Sequence, residues 1–393
     1  MKVLYLANGL PHYFNRVLSR MNETPGLEVV VVAPKGPGKY IGDGVFQTHQ
    51  GVDFRLIELE EYSAGPFFVS FRGLASLILR ERPAVIVMPE YLLTAFTLHP
   101  GLVLARSLVG AKTILKSIPF RMADYESARR ELAVQNPSAL SLRMWRRRAA
   151  LALRRHCLRA VDAHVNYVDA GREIFGSYGV PPERIFVTRN SPDTDAMRET
   201  EAALLASAQP PVRAPYRLLH VGRLVASKRV DLLIDAFATV HERVPQAELL
   251  IVGDGPERSS YEAQAARTRA GSAVRFLGPV YDPAELARHF LSAAVFVLPG
   301  LGGLSINEAM FYGLAVVCSA GDGTERHLVR EGYNGAFFTQ DDAASLAQVL
   351  ITILSNQDER ARMGVRSREI IDREVNIRTV VAEYLKAFRF ACA

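Results

Sequence analysis

Short apolar runs alternate with longer amphipathic stretches along the first half of the chain. The runs are KVLYLAN (2–8), LEVVVVA (27–33), FRLIEL (54–59), AVIVMP (84–89), KTILKS (112–117) and AHVNYV (163–168). Segments of helical periodicity, such as PHYFNRVLSRM and FRGLASLILRER, lie between most of them. Most runs are apolar almost throughout, as expected of parallel strands covered by helices on both faces. The pattern therefore predicts a doubly wound α/β domain.

The same alternation starts again after a proline-rich, polar interval around residues 180–215. The runs of the second half are YRLLHVG, AELLIVGDG, AVRFLGPV, AVFVLPG, LAVVCSAG and GAFFTQ. We predict two Rossmann-like domains, residues 1–190 and 215–375, joined by a linker at 191–214. The last helical pattern, at about 376–393, is expected to pack back on the first domain.

Composition narrows the class of protein. A length of 393 residues suits two domains, and 49% hydrophobic with 22% charged residues suits a globular protein. The three cysteines, Cys157, Cys318 and Cys392, show no zinc spacing and favour a reducing compartment. No run reaches the roughly 18 to 20 apolar residues of a spanning helix, and MKVLYLANGLP is too short for a signal peptide. We expect a cytoplasmic chain that does not cross a membrane.

Two cations follow the first strand of the second half, in HVGRLVASKRVDLLIDAF (220–237). After Gly222, Arg223 and Lys228 fall in the loop or in the first turn of a helix that Ser227 is expected to cap. Free amides and the helix dipole favour anions at such a position. Arginine adds a planar fork for phosphate oxygens, and lysine adds a compact charge. The alternative is two solvated surface cations.

The next loop, IVGDGPERSSY (251–261), carries Gly253 and Gly255. A dinucleotide fingerprint would have a third glycine where this chain has Arg258. The loop therefore argues modestly against a nicotinamide cofactor.

A third loop, in VFVLPGLGGLSINEAMFYGLAVVCSAG, combines glycines with one acid. Gly302 and Gly303 let backbone amides approach a ligand that a Cβ atom would keep away. Ser305 and Glu308 form S-x-x-E, which would make Glu308 a capping-box acid for the Ser305 amide. Alternatively, the carboxylate accepts hydrogen bonds from the vicinal hydroxyls of a sugar. The two roles are compatible.

In this order and spacing, the segments resemble the nucleotide-sugar domain of retaining GT-B glycosyltransferases of family 4 (group 1), of the type that builds bacterial cell-envelope polysaccharides. The resemblance covers residues 215–375 well and the first half only loosely. It implies two facing Rossmann-like domains. It also implies that Arg223 and Lys228 hold the donor diphosphate and neutralise the leaving group, while Glu308 binds the ribose. The donor-binding set that it implies is Gly222, Gly253, Gly300, Gly302, Gly303, Leu304, Ser305 and Glu308.

The chain departs from this family at one position. Relatives commonly carry two glutamates eight positions apart, and Gly300 stands where the first would be. Either backbone amides hold the donor sugar in a variant of the motif, or the protein is a catalytically silent relative. We favour the variant, because the cations, the glycines and Glu308 all remain.

The resemblance implies transfer of a sugar from a UDP- or GDP-sugar to a hydroxyl of a saccharide, free or lipid-linked, with retention at the anomeric carbon. We expect no metal, because Arg223 and Lys228 already provide cations for the diphosphate, and no cofactor. Two alternatives stay open: a silent subunit that binds nucleotide-sugar or lipid, and a Rossmann oxidoreductase.

Acceptor contacts are expected from the loops after the strands of the first domain. A lone histidine is more often structural, and a lone acid is more often part of the surface. The candidates are Asn8, Gly9, His12, Glu90, Lys116 and Arg121.

Residues 142–159 carry seven arginines and no acid. A helical wheel places Trp145, Ala149, Ala152 and Leu153 towards the core. It leaves an outward stripe of Leu140, Met144, Leu151 and Leu158, flanked by Arg143, Arg147, Arg154, Arg148, Arg155 and Arg159. Such a stripe suits an anionic membrane surface. A solvated basic helix is the competing interpretation, and nucleic acid is not expected, since no recognised binding motif is present.

Overall fold

The computed structural model describes residues 1–36, 38, 47–49, 51–64, 68–118, 122–134, 142–319, 323 and 325–393, without the side chains of residues 133, 134, 142 and 143. The described residues form two compact units. The first comprises Met1–Arg189 and Arg378–Ala393, and the second comprises Asn190–Ile377.

The first unit is built on a seven-stranded sheet whose described pairings are all parallel, in the order β3-β2-β1-β6-β7-β8-β9. Its strands are β1 (Lys2–Leu6), β2 (Glu28–Pro34), β3 (Arg55–Leu59), β6 (Val85–Pro89), β7 (Lys112–Lys116), β8 (Ala163–Asn166) and β9 (Ile185–Val187). The antiparallel pair β4 (Glu61–Ser63) and β5 (Val69–Phe71) stands apart from this sheet.

Helices of the first unit connect consecutive parallel strands. They are α1 (His12–Asn22), α2 (Leu74–Glu81), α3 (Leu93–Leu98), α4 (Pro100–Val109), α5 (Tyr125–Val134), α6 (Leu142–Arg159) and α7 (Ala170–Ser177). The buried side chains of β1, β2, β6 and β7 form one core with α2, α3 and α4. His99 caps α4, since its ring nitrogen Nδ1 accepts a hydrogen bond from the Leu102 amide at 3.3 Å.

The second unit holds a six-stranded parallel sheet in the order β12-β11-β10-β13-β14-β15. Its strands are β10 (Arg217–Val221), β11 (Glu248–Val252), β12 (Val274–Gly278), β13 (Val295–Leu298), β14 (Ala315–Cys318) and β15 (Gly335–Phe337). Its helices are α8 (Thr194–Leu205), α9 (Val230–Arg243), α10 (Arg258–Arg267), α11 (Pro283–Ser292), α12 (Ser305–Phe311), α13 (Glu325–Leu328), α14 (Ala343–Ser355) and α15 (Gln357–Arg373).

The last helix, α16 (Ile377–Cys392), returns the chain to the first unit. Tyr384 and Phe388 are buried there, and the ring of Phe390 lies 5.5 Å from that of Phe186 on β9.

Both units have the Rossmann-like α/β architecture that the apolar runs predict. Three strands lack a predicting run: β4, β5 and β9 are only three residues long. Residues 194–205 lie in the predicted linker, yet they form α8, because Asp193 caps this helix by accepting a hydrogen bond from the Ala196 amide at 3.2 Å.

Helix α6 buries the stripe that the wheel places outside, although Leu153, predicted to face the core, packs against it as well. Met144 and Leu158 are buried and Leu151 packs against the core, whereas Trp145 is 59% exposed. Two of the flanking arginines sit at the rim of this core. Arg154 forms an ion pair with Glu90, and Arg155 lies over the ring of Tyr125, 5.0 Å from its centroid. The predicted outward stripe is therefore wrong; Leu140 and the Arg143 side chain lie outside the described residues.

Of the helices that the structure describes, none is by itself long and apolar enough to span a membrane. The pair Glu90–Leu98 and Pro100–Val109, bent by 84°, meets the criteria of length and composition when taken together.

Candidate functional site

The order of the second sheet places three loops side by side. Strand β10 lies between β11 and β13. The connection from β10 leads to β11 and the connection from β13 leads to β14, so the two leave in opposite directions along the sheet. In open α/β sheets, such a switch point forms a crevice at the carboxyl ends of the strands, where ligands bind. The loops that follow β10, β11 and β13 are those that the sequence singles out.

The loops after β10 and β11 are in close backbone contact. A Cβ atom on Gly253 would lie 1.9 Å from the Gly222 carbonyl oxygen, and one on Gly255 would lie 2.3 Å from that of Leu224. The Leu224 amide donates a hydrogen bond to the Asp254 carbonyl at 2.9 Å. These glycines serve the packing of one loop on another.

Gly300 has a steric explanation of the same kind. A Cβ atom there would lie 2.3 Å from the Ser227 carbonyl oxygen and 2.6 Å from the Lys228 carbonyl carbon. The next amide, of Leu301, donates a hydrogen bond to that Ser227 oxygen at 3.0 Å. In this arrangement of the loops, no side chain fits at position 300, so neither does the glutamate of the family motif.

Lys228 joins the loop after β10 to the glycine loop after β13. Its Nζ atom donates hydrogen bonds of 2.6 Å to the carbonyl oxygens of Leu301 and Gly302. A Cβ atom on Gly303 would lie 3.4 Å from the same Nζ atom. The ammonium group is thus held against the glycine loop, at the crevice between β10 and β13.

Arg223 is exposed, and within the described part of the chain its guanidinium group has no hydrogen bond or ion pair. The helix that follows starts later than predicted. Ala226–Lys228 form a 3-10 turn, and Arg229, in the left-handed conformation with φ 52°, precedes α9. Ser227 is therefore not the cap of α9, and Lys228 lies before the first turn of this helix.

Glu308 is not a capping-box acid. Helix α12 starts at Ser305, so Leu304 occupies the N-cap position and no side chain caps the helix. No hydrogen-bond donor or cation among the described residues pairs with the half-buried Glu308 carboxylate. Its desolvation raises the pKa from 4.5 to about 7. An ionisable group without an internal partner, here in the first turn of a helix that follows the glycine loop, is available to a ligand.

Supporting residues that the sequence did not single out surround these loops. His220, on β10, is fully buried; its Nδ1 atom lies 3.0 Å from the Val297 carbonyl, and burial lowers its pKa to about 4. Ser319 donates a hydrogen bond to the Pro299 carbonyl at 3.0 Å, at the start of the glycine loop. A polar residue inside an apolar run, as in LLHV, is the signal that would have found His220.

Three acceptor candidates lie at neighbouring strand ends of the first unit. Strands β1, β6 and β7 are adjacent; Asn8 and Glu90 follow the ends of β1 and β6, and Lys116 is the last residue of β7. Gly9 follows Asn8, and His12 is exposed at the first position of α1. Glu90 is ion-paired with Arg154. Arg121 lies outside the described residues.

Lys116 is the most perturbed of these candidates. Its Nζ atom lies 3.2 Å from the centroid of the Phe14 ring and 5.5 Å from that of Tyr5. Desolvation lowers its pKa from 10.5 to about 7. Among the described residues it has no carboxylate partner, and the aromatic faces stabilise its charged form.

Nowhere in the described ranges do three or more His, Cys, Asp or Glu side chains group in a way that suits a metal ion.

Comparison with known proteins matches both units to glycosyltransferases. Residues 8–191 match the glycosyl transferase 4-like domain, and residues 207–370 match the family of glycosyl transferases group 1. The phosphatidyl-myo-inositol mannosyltransferase of Mycobacterium leprae is 36% identical over 164 residues, which are 40% of this chain and 42% of the relative. The sulfoquinovosyl transferase of Arabidopsis thaliana is 30% identical over 157 residues, 39% of this chain and 29% of the relative. The chain thus spans less than half the length of these relatives.

The solved structure of Anabaena HepE in complex with UDP has the same fold. It is 18% identical, covers 98% of both chains and superposes with a TM-score of 0.68. The overall architecture is that of GT-B enzymes, with two Rossmann-like halves, as predicted.

Proposed function

Because the chain belongs to the family of group 1 glycosyl transferases, we propose that it transfers a sugar from a nucleoside diphosphate donor to a hydroxyl group of a saccharide acceptor. The observation that carries this proposal is the arrangement at the β10–β13 crevice. Lys228 is held against the glycine loop, and Arg223 is exposed without a described partner. Glu308, on the helix that follows the glycine loop, has a carboxylate that no described residue pairs with.

Arg223 and Lys228 would bind the diphosphate and stabilise its departure. Negative charge grows on the leaving phosphate as the glycosidic bond to the donor breaks, and fixed cations stabilise such charge. The guanidinium group can contact two phosphate oxygens, while the ammonium group acts as a point charge. Both residues belong to the segment between β10 and α9.

Glu308 would accept hydrogen bonds from the ribose hydroxyls. A carboxylate is an acceptor only when it is ionised, and two vicinal hydroxyl donors would favour that form. The donor set would be completed by backbone groups at Gly222, Gly253, Gly300, Gly302, Gly303, Leu304 and Ser305. Since no acid fits at position 300, backbone amides of the glycine loop would contact the transferred sugar.

We further propose retention at the anomeric carbon. The departing phosphate oxygen would take the proton of the acceptor hydroxyl on the face that it leaves, so no protein nucleophile is required. A UDP-sugar is the first donor to test and a GDP-sugar the second; the Anabaena structure, which contains UDP, supports this order. Neither a metal nor a cofactor is part of the proposal.

The acceptor would be a saccharide, free or linked to a lipid, approached through the loops that carry Asn8, Gly9, His12, Lys116 and Arg121. We place this reaction at the cytoplasmic face of a membrane. One of the relatives, the phosphatidyl-myo-inositol mannosyltransferase, is named for a lipid, which supports a lipid-linked acceptor.

Thermal stability with UDP, GDP, ADP and NAD tests the donor site. A ligand that binds only the folded state adds RT ln(1 + [L]/Kd), about 2.7 kcal/mol at a hundredfold excess over Kd. One diphosphate should stabilise the protein, and Arg223→Ala and Glu308→Ala should each abolish the shift. Stabilisation by NAD alone would replace the proposal with an oxidoreductase.

Turnover separates an enzyme from a silent binding subunit, the alternative that Gly300 raises. With the donor that binds, we expect transfer or slow donor hydrolysis, and Arg223→Ala should reduce it by about two orders of magnitude. Donor binding without either reaction would leave the silent subunit as the function.

A further inference from the structure

Four exposed leucines lie on neighbouring helices of the first unit. Leu79 is on α2, Leu98 ends α3, and Leu104 and Leu108 are one turn apart on α4. They are 43% to 64% exposed, and they are the only described leucines of this unit with such exposure. Helix α2 packs against α4, and α3 packs against α4 and α6. The leucines therefore belong to one group of packed helices.

Helix α6 adds an exposed tryptophan to this group. Trp145 is 59% exposed, and Arg146 and Arg148 beside it are exposed as well. This face of α6 is exposed because the opposite side of the helix, with Met144, Leu151 and Leu158, packs against the core. Tryptophan and arginine both combine an apolar body with a polar end, which suits the boundary between water and lipid.

The charge on these helices has one sign. Helices α2, α3, α4 and α6 carry nine arginines, Arg80 and Arg106 together with the seven of α6, and one acid. That acid, Glu81, is buried and paired with Lys2 and Arg55. Among the described side chains of these helices, none that is exposed is acidic.

We propose that these helices form a docking surface for an anionic lipid bilayer, with Leu98, Leu104 and Leu108 entering the interface and Arg146 and Arg148 contacting headgroup phosphates. Exposed leucines gain from burial in lipid, which requires no complementary shape. A second copy of the chain would oppose arginine to arginine across a twofold axis, which like-charge repulsion disfavours. The inference extends the membrane location of the proposed function and names its contact surface.

Sedimentation with vesicles tests this surface without any sugar donor. The protein should sediment with phosphatidylcholine vesicles that contain phosphatidylglycerol, and much less with phosphatidylcholine alone. The double variant Leu104→Glu/Leu108→Glu should bind the anionic vesicles about tenfold or more weakly. Val365→Glu is the matched control: Val365 lies on α15 of the second unit and is 61% exposed, against 60% and 64% for the two leucines. It should bind like the wild type.

A second variant tests the charge. Arg146→Gln/Arg148→Gln should weaken binding to anionic vesicles and reduce its dependence on salt, because each arginine near the surface contributes about 1 kcal/mol. Wild-type protein that ignores anionic vesicles, or equal binding by the leucine variant and the control, would overturn the proposal. So would a wild-type dimer that Leu104→Glu/Leu108→Glu dissociates. A retained thermal shift with the nucleoside diphosphate shows that a variant is folded, and it separates failure of this surface from failure of the donor site.

Discussion

Gly300 is the residue at which the chain leaves the family motif, and the structure predicts what a side chain there would do. Gly300→Ala should lower the free energy of unfolding by about 1–3 kcal/mol, because its methyl group would lie 2.3 Å from the Ser227 carbonyl oxygen. The loops after β10 and β13 would separate, and the affinity for the nucleoside diphosphate should fall as well. Urea unfolding and titration with the nucleotide measure both effects.

Gly303→Ala is the matched control in the same loop. Its methyl group would meet only the Lys228 Nζ atom, at the ordinary contact distance of 3.4 Å. We expect a change in stability within about 0.5 kcal/mol. Equal effects of the two substitutions would show that the contact of Gly300 with residues 227 and 228 does not hold the loops together.

Glu308 predicts a pH dependence of opposite sign for folding and for binding. Its folded pKa of about 7 lies above the ordinary 4.5, so its favourable contribution to folding is complete below pH 4.5 and is lost as the pH rises through about 7. Ribose hydroxyls need the ionised carboxylate. Affinity for the diphosphate should therefore increase, by up to about tenfold, from about pH 6 to about pH 8.

Glu308→Gln isolates this group, because the phosphate of the ligand titrates equally with both proteins. The variant should be more stable than the wild type above pH 7, and its affinity should lack the part of the pH dependence that Glu308 contributes. Parallel pH profiles for the two proteins would exclude the carboxylate from nucleotide binding.

At the scale of elements, long apolar runs predicted strands well, and short or marginal ones did not. Each run of the second half corresponds to one strand, from β10 to β15. The inner strands β10, β11, β13 and β14 are covered on both faces, which favours a nearly continuous apolar sequence. Strand β9 has only three residues at the edge of its sheet, next to prolines. Such a strand forms because it pairs with β8, and the sequence around β9 carries no sign of that pairing.

Helix ends and helix faces depended on contacts that the sequence does not display. S-x-x-E predicts a capping box, but α12 begins one residue earlier than that box requires. For α6, a wheel gives two apolar sides, and arginines flank the one that is buried. Arginine stems can line a core while their charged ends reach Glu90 or the ring of Tyr125. The pattern alone could not distinguish this rim from a membrane-facing stripe.

The loops of the candidate site could be predicted from the sequence, but the contacts between those loops could not. The loops with Arg223, Lys228 and Glu308 stand out in the sequence because glycines and charges follow apolar runs. The hydrogen bonds of Lys228 to Leu301 and Gly302 join residues more than 70 positions apart, and only the strand order β11-β10-β13 brings them together. The reason for glycine at position 300 is likewise a contact with a distant loop.

At the scale of the molecule, the chain crosses from the first unit to the second and returns, so that α16 completes the unit in which the chain begins. Phe388 on this helix is fully buried, whereas Phe390 is 37% exposed. Phe388→Ala should cost about 3–5 kcal/mol of stability, because it leaves a large cavity, and Phe390→Ala on the same helix should cost much less.

The two units give this last prediction a specific signature. The loss in Phe388→Ala should appear as faster amide hydrogen exchange in β1, β6, β7 and α16, since these belong to the first unit. Affinity for the nucleoside diphosphate should change little, because all its proposed contacts lie in the second unit. Exchange that increased instead around β10 and β13, or a lost nucleotide affinity without faster exchange in the first unit, would show that α16 supports the donor site rather than the unit that it completes.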